Sequence, residues 1–137
     1  MKRSAAREEA FKLLYSLEIQ KENLVEQLQM YFENEEITER ETIDYISSVV
    51  KGIENNLSNI ENKISDNLKK DWKIERISKI NLVLLKLAIY EILYTEVPYK
   101  VAINEAIEIA KKYGDDNSPN FVNGILASVV KESEKIC

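Results

Sequence analysis

Only two prolines and three glycines interrupt this chain of 137 residues: Pro98, Pro119, Gly52, Gly114 and Gly124. Tight turns draw on both residue types. A chain this short of them cannot supply the many turns of an all-β fold and is expected to form long helices. Pro98 lacks an N–H and disfavours helical geometry at Val97, so it ends the preceding helix. Ile103, Ala106, Ile107, Ala110 and Tyr113 then recur at three- and four-residue steps and give one apolar helix face. Gly114 follows Lys111, Lys112 and Tyr113, a stop with cations in the last turn. Ser118-Pro119 opens the next helix with a hydroxyl cap and a proline at the first helical position.

The same periodicity predicts an all-α fold of about seven helices and no strands. The first runs from about Ser4, its cap, to Gln20, with Ala6, Ala10, Leu13, Leu14 and Leu17 facing the core. The second covers about Leu24 to Phe32. Thr38 and Glu41 form a Thr-x-x-Glu capping box that opens a third, lined by Ile43, Ile46, Val49, Val50 and Ile53 and ended by Asn55-Asn56. Leu57, Ile60, Ile64 and Leu68 carry a fourth. Lys69 to Trp72 is a turn, with Trp72 as a lid over the junction of two halves. The fifth and longest helix spans about Ile74 to Thr95, and the last ends near Glu134. Gly52 and Gly124 sit inside helical patterns, where each costs about 1 kcal/mol relative to alanine. Close approach of another helix is the expected compensation, with RNA backbone as the alternative at Gly124.

Composition excludes several function classes. No histidine is present, which removes the commonest acid/base group and the commonest metal ligand. The single cysteine, Cys137, permits no disulfide within one chain and suits a reducing cytoplasm. The N-terminus lacks a signal-peptide apolar run, and the stretch from Leu82 to Tyr94 is too short for a bilayer and carries Lys86 and Glu91. Glu91, Glu105 and Glu108 could form a catalytic acid pair, but capping or surface charge explains them more simply, and Asp115 and Asp116 read as solvated turn residues rather than a cation site. No glycine-rich phosphate loop occurs. The chain is expected to be non-enzymatic, without cofactor or metal.

The net charge of −5 has the wrong sign for general nucleic-acid binding, but the charge is unevenly placed. Glu18 to Asp44 holds nine acids and two bases, whereas Lys69 to Lys79 holds five bases and two acids. The first twelve residues set Lys2, Arg3, Arg7 and Lys12 against Glu8 and Glu9. Single-stranded RNA is held by cations on phosphates, rings under bases, and amides or hydroxyls on base edges. Lys2, Arg3, Ser4 and Arg7 lie at the start of a helix, where free backbone N–H groups favour phosphate. Lys12 follows, and Tyr15 falls off the leucine stripe. Phe121 lies in the first turn of the last helix, with Asn117 and Asn123 on either side. The bland alternative is that the arginines pair with Glu8 and Glu9 and the rings are core. Asn104, mid-helix, either reads a base or holds the end of the fifth helix.

The string VPYKVAINEAIEIAKKYG at Val97–Gly114, followed by FVNGIL at Phe121–Leu126, closely resembles the signature of the NusB family of bacterial transcription antitermination factors. RSAAREEAFKLLYSLE at Arg3–Glu18 and LLKLAIYEILY at Leu84–Tyr94 resemble the family's opening and central helices, in the same order. The resemblance implies a single helical domain of two packed subdomains, about 1–70 and 71–137. It implies binding to the boxA element of ribosomal RNA leader transcripts with NusE, the small-subunit ribosomal protein S-ten, and assembly of an antitermination complex on RNA polymerase. It also points to Arg3, Arg7, Tyr15 and Phe121 as RNA contacts, and leaves the NusE surface and the choice between monomer and homodimer open. An exposed Arg7 would mean that Arg7→Glu abolishes RNA binding and leaves thermal unfolding nearly unchanged. A helical RNA-targeting module like the N-terminal domain of ribosomal RNA cytosine methyltransferases, and a protein–protein scaffold working through the acidic segment, are the alternatives.

Overall fold

A computed structural model of the chain describes residues 1–20 and 23–136, the last three by backbone alone; Cys137 lies outside the described residues. Seven α-helices are present and, among the described residues, no strand: α1 (Arg3–Ile19), α2 (Leu24–Asn34), α3 (Arg40–Asn55), α4 (Leu57–Asp66), α5 (Lys79–Tyr94), α6 (Tyr99–Tyr113) and α7 (Ser118–Ile136). No described helix is long and apolar enough to cross a membrane.

The organising element is α5. Leu82 to Ile89 are buried without a break, so this helix has no solvent face over that stretch and must be surrounded. It touches α1, α3, α4, α6 and α7. Its two charged residues in that environment are both matched. Lys86 reaches Glu18 of α1 at 3.2 Å and Glu61 of α4 at 3.5 Å, and Glu91 is paired by α1 as described below. The expected apolar stripes of α3 and α4 are buried at Ile46, Val49, Val50, Ile53, Ile60 and Ile64.

Several boundaries differ from the sequence-based expectations. The fifth helix begins at Lys79, not at Ile74: residues Ile74–Arg76 form a single 3-10 turn, and Ile77 and Ser78 are extended. Ser78 then caps α5, its Oγ accepting the Asn81 N–H at 3.2 Å. The Thr38–Glu41 capping box does not form; α3 starts after Glu39, whose carboxylate is taken by the N-terminal amine and by the Thr42 hydroxyl. Ser4 lies within α1, and its hydroxyl donates to Glu105 Oε1 of α6 at 2.5 Å instead of capping. At the start of α7, Asp115 Oδ1 accepts the N–H groups of Asn117 and Ser118 at 2.8 and 3.1 Å, while Ser118 Oγ accepts the Asp115 N–H at 3.1 Å. The cap is therefore reciprocal, with the aspartate as the main acceptor.

The two helical glycines part company. A Cβ at Gly52 would collide with the Tyr90 ring of α5, so this glycine is the close approach that periodicity called for. Gly124 has nothing within 4 Å of where a Cβ would stand, so no helix packs against it. Asn104 likewise is exposed and does not brace the end of α5; Thr95 does that, donating its hydroxyl to the Glu91 carbonyl at 2.6 Å and accepting the Val97 N–H at 3.2 Å. Two opposite outcomes follow for one substitution type. Gly52→Ala should destabilise by about 1–3 kcal/mol through overpacking, despite its better helix propensity. Gly124→Ala should stabilise by about 0.5–1 kcal/mol. Urea denaturation of both variants checks the pair.

Candidate nucleic-acid interface

The first turns of α1 are tied into the body by a buried polar cluster. Arg7 Nε donates to Glu91 Oε1 at 2.7 Å and its Nη2 to Glu91 Oε2 at 3.0 Å, a bidentate fork. Nη1 lies 3.3 Å from Glu105 Oε1 on α6. The Tyr45 hydroxyl of α3 donates to Glu91 Oε2 at 3.2 Å. Arg7 is 3% exposed and Glu91 1%. Burial alone would lower the Arg7 pKa; the hydrogen bonds to Glu91 and the surrounding negative charge outweigh it and raise it. Burial, helped by Glu91, pushes the Tyr45 hydroxyl well above the usual phenol range.

This arrangement corrects the expectation for Arg7. Its guanidinium is spent on Glu91 and Glu105 and is not an exposed cation, because α5 carries a carboxylate that could not be buried alone. The exposed cations of the N-terminal segment are Lys2 and Arg3. Arg3 lies over the Tyr45 ring, 4.1 Å from its centroid, and the Met1 amine reaches Glu39 Oε2 at 2.6 Å.

Further along α1, Glu8 accepts from Lys112 Nζ at 2.8 Å and from the Tyr113 hydroxyl at 2.6 Å. These two donors, Lys112 first, hold its carboxyl below the ordinary range against the opposing effect of burial. Glu9 accepts from the Tyr31 hydroxyl and lies 3.5 Å from Lys12. Lys12 is raised: burial works against it, and the neighbouring carboxylates, Glu9 foremost, prevail. Tyr15 is not a free ring. It is partly buried and lies 6.3 Å from Phe11, which in turn lies 5.3 Å from Tyr113.

The connection 114–117 leads from Tyr113 to α7. Asn117 and Asn123 are exposed there, and Phe121 is partly buried with its ring 6.2 Å from that of Trp72. The indole lies beside the Phe121 ring but is itself 50% exposed, so it is an incomplete lid. Lys69, Lys70, Lys73, Arg76 and Lys79, its neighbours in sequence, are all exposed. The groove between α1 and α6, by contrast, is lined by Glu8, Glu105 and Glu108, with Lys112 already committed to Glu8.

The NusB family profile matches residues 4–131. This chain belongs to the NusB family. A transcription antitermination protein NusB of Clostridium novyi (strain NT) is 49% identical over 134 residues, covering 96% of this chain and 99% of that protein. A structure of T. maritima NusB superposes with a TM-score of 0.88 at 38% identity, covering 96% of this chain and 92% of the other. A crystal structure of the antitermination factors NusB and NusE in complex with dsRNA superposes with a TM-score of 0.85 at 25% identity over 95% of this chain and 96% of that one.

Within this NusB fold, the residues singled out from the sequence fall into two groups. Lys2 precedes α1 and Arg3, Ser4, Lys12 and Tyr15 lie along it; Asn117 precedes α7 and Phe121 and Asn123 lie in its first turns, with Glu8 tying α1 to the end of α6 that leads to α7. Arg7 belongs inside. Sequence reasoning missed Tyr45 and the Trp72–Phe121 contact. A signal for the buried cluster was available in Glu91, an acid in an otherwise apolar run.

Two measurements test this account. Arg7→Ala should cost about 3–5 kcal/mol by leaving Glu91 buried and unpaired, and Arg7→Met with Glu91→Met together should recover much of that, read by urea denaturation. For Glu8, a folded pKa below the unfolded value of about 4.3 means that its contribution is complete above that value and lost as pH falls through the folded pKa. Thermal unfolding of Glu8→Gln and the parent should therefore differ at pH 7 and converge in the acid range below about pH 4.

Proposed function

We propose that this chain is a non-enzymatic, RNA-binding transcription antitermination factor of the cytoplasm. In this reading it pairs with NusE, small-subunit ribosomal protein S-ten, to recognise boxA in ribosomal RNA leader transcripts and to help assemble the antitermination complex on RNA polymerase. The observation that carries the reading is the likeness over almost the whole chain to a NusB captured with NusE and dsRNA, together with relatives named as antitermination proteins. The curated relative of Clostridium novyi is spanned over 99% of its length, which favours the adaptor over a methyltransferase targeting module. The single domain is read as two subdomains, about 1–70 and 71–137, that share the faces of α5.

In mechanistic terms, Lys2 and Arg3 supply positive charge beside the open N–H groups of α1, where phosphate is favoured. Ser4 and Lys12 extend that edge. Phe121 and Tyr15 offer ring edges to bases, and Asn117 and Asn123 offer amides to base edges. Arg7 acts from inside, holding the α1 start against α5 and α6. An acidic chain with few free cations binds weakly by itself, so a protein partner that adds surface raises affinity to a useful level. A homodimer of the free protein that covers the cationic edge would oppose binding.

Fluorescence anisotropy of labelled boxA RNA, titrated with and without NusE and beside a scrambled RNA, tests the reading. Selective binding that tightens with NusE is expected. Lys2→Ala with Arg3→Ala should flatten the slope of log K against log salt by about 0.7 for each phosphate that the two side chains neutralise. Absence of selective binding in the presence of NusE would overturn it.

A further inference from the structure

The basic run from Lys69 to Lys79 and the half-exposed indole within it are not used by the site above. Large side chains that remain open to solvent are informative when they cluster with a single sign of charge. Here five cations stand exposed in eleven residues of a chain whose net charge is −5, and none of them makes an ion pair among the described residues. Asp71 and Glu75 lie in the same segment and reduce the local excess without cancelling it.

Local geometry holds the indole in place. The Trp72 backbone N–H donates to the Lys69 carbonyl at 2.9 Å, closing the turn, and Asp71 takes a left-handed φ of 79°. The turn sets Trp72 beside Phe121 at 6.2 Å with the ring planes 34° apart, between Lys70 and Lys73 in sequence. One side of the indole has an aromatic neighbour, and half of its surface is open to solvent. A flat, half-exposed ring in a segment of unpaired, exposed cations suits a ligand that is itself flat and carries negative charge: an unstacked base on a phosphate backbone. An acidic peptide would find the cations but gives no use for the ring, and an apolar helix would bury the lysines.

We propose that Trp72, backed by Phe121 and flanked by Lys69, Lys70 and Lys73, is a stacking platform for an unpaired base of single-stranded RNA. The platform carries the RNA from the start of α7 onto the α4–α5 connection. The path avoids the groove between α1 and α6, where Glu8, Glu105 and Glu108 would repel phosphate. The inference rests on the RNA-binding reading above and adds to it a base-binding residue and a direction for the strand.

Trp72 is the only tryptophan in the chain, so its emission reports the platform directly. The full chain with NusE is titrated with a single-stranded boxA oligonucleotide, following anisotropy of the RNA label and indole emission together, with a fully paired duplex as second probe. Saturable quenching by the single strand is expected, with little by the duplex, whose bases are already stacked. Trp72→Ala should weaken single-strand binding about tenfold or more, Trp72→Phe much less, and Lys70→Gln with Lys73→Gln should flatten the salt slope by about 1.4, two phosphates' worth. Thermal unfolding of each variant guards against loss of fold. Single-strand binding by anisotropy with unchanged indole emission and a fully active Trp72→Ala would overturn the platform and leave the RNA-binding reading standing. Equal quenching by the duplex would also overturn it. Absence of binding to any probe would overturn both.

Discussion

Four helices meet around one buried ion pair. Glu91 of α5 is buried, and its two oxygens are claimed by the Arg7 fork from α1 and the Tyr45 hydroxyl from α3, while the same guanidinium touches Glu105 of α6. A buried charge of this kind adds little net stability over a well-packed apolar substitute, but it tolerates no partial disassembly. That asymmetry makes the cluster a registration device. Together with the Lys86–Glu18 pair, the fork fixes the position of α1 along α5, and with it the cations that α1 presents.

The same logic appears at Lys86, which sits on the same otherwise apolar helix and finds Glu18 and Glu61 on two different neighbours. Between them, the two buried charges of α5 engage α1, α3 and α4 directly, adding polar specificity to the apolar packing around this helix. The surface follows a different rule. Acids gather in the α1–α2 region and the start of α3, and the unpaired bases gather after α4. A chain of negative net charge can therefore keep a polyanion-compatible face by leaving a few cations unpaired.

Helix number, the order of elements and the buried stripes of α3 and α4 were legible because spacing of apolar residues translates directly into a face. Pro98 and Gly114 read correctly as punctuation, since their effects are local; Ser118-Pro119 marked the start of α7, but the capping acceptor is Asp115. The start of α5 was not legible, because Ile74, Ile77 and Ile80 continue a helical pattern while the backbone follows a 3-10 turn and an extended step into the Ser78 cap. Arg7 failed for a complementary reason. Its surroundings in sequence are polar, and its partner lies 84 residues away. The glycines show the limit most plainly: identical in pattern, Gly52 faces a tyrosine ring and Gly124 faces open space, and only the tertiary arrangement distinguishes them.

The contact between the Met1 amine and Glu39 has a practical side. Glu39 is held below its ordinary pKa first of all by that amine, so the interaction needs a free, charged N-terminus. Acylation of this amine turns it into a neutral amide and releases the carboxylate. Arg3 is two residues away and leans on the Tyr45 ring of α3, the helix that begins directly after Glu39. Loss of that one charge thus loosens a tie that folds the segment ahead of α1 back against the start of α3, beside the Arg3–Tyr45 contact.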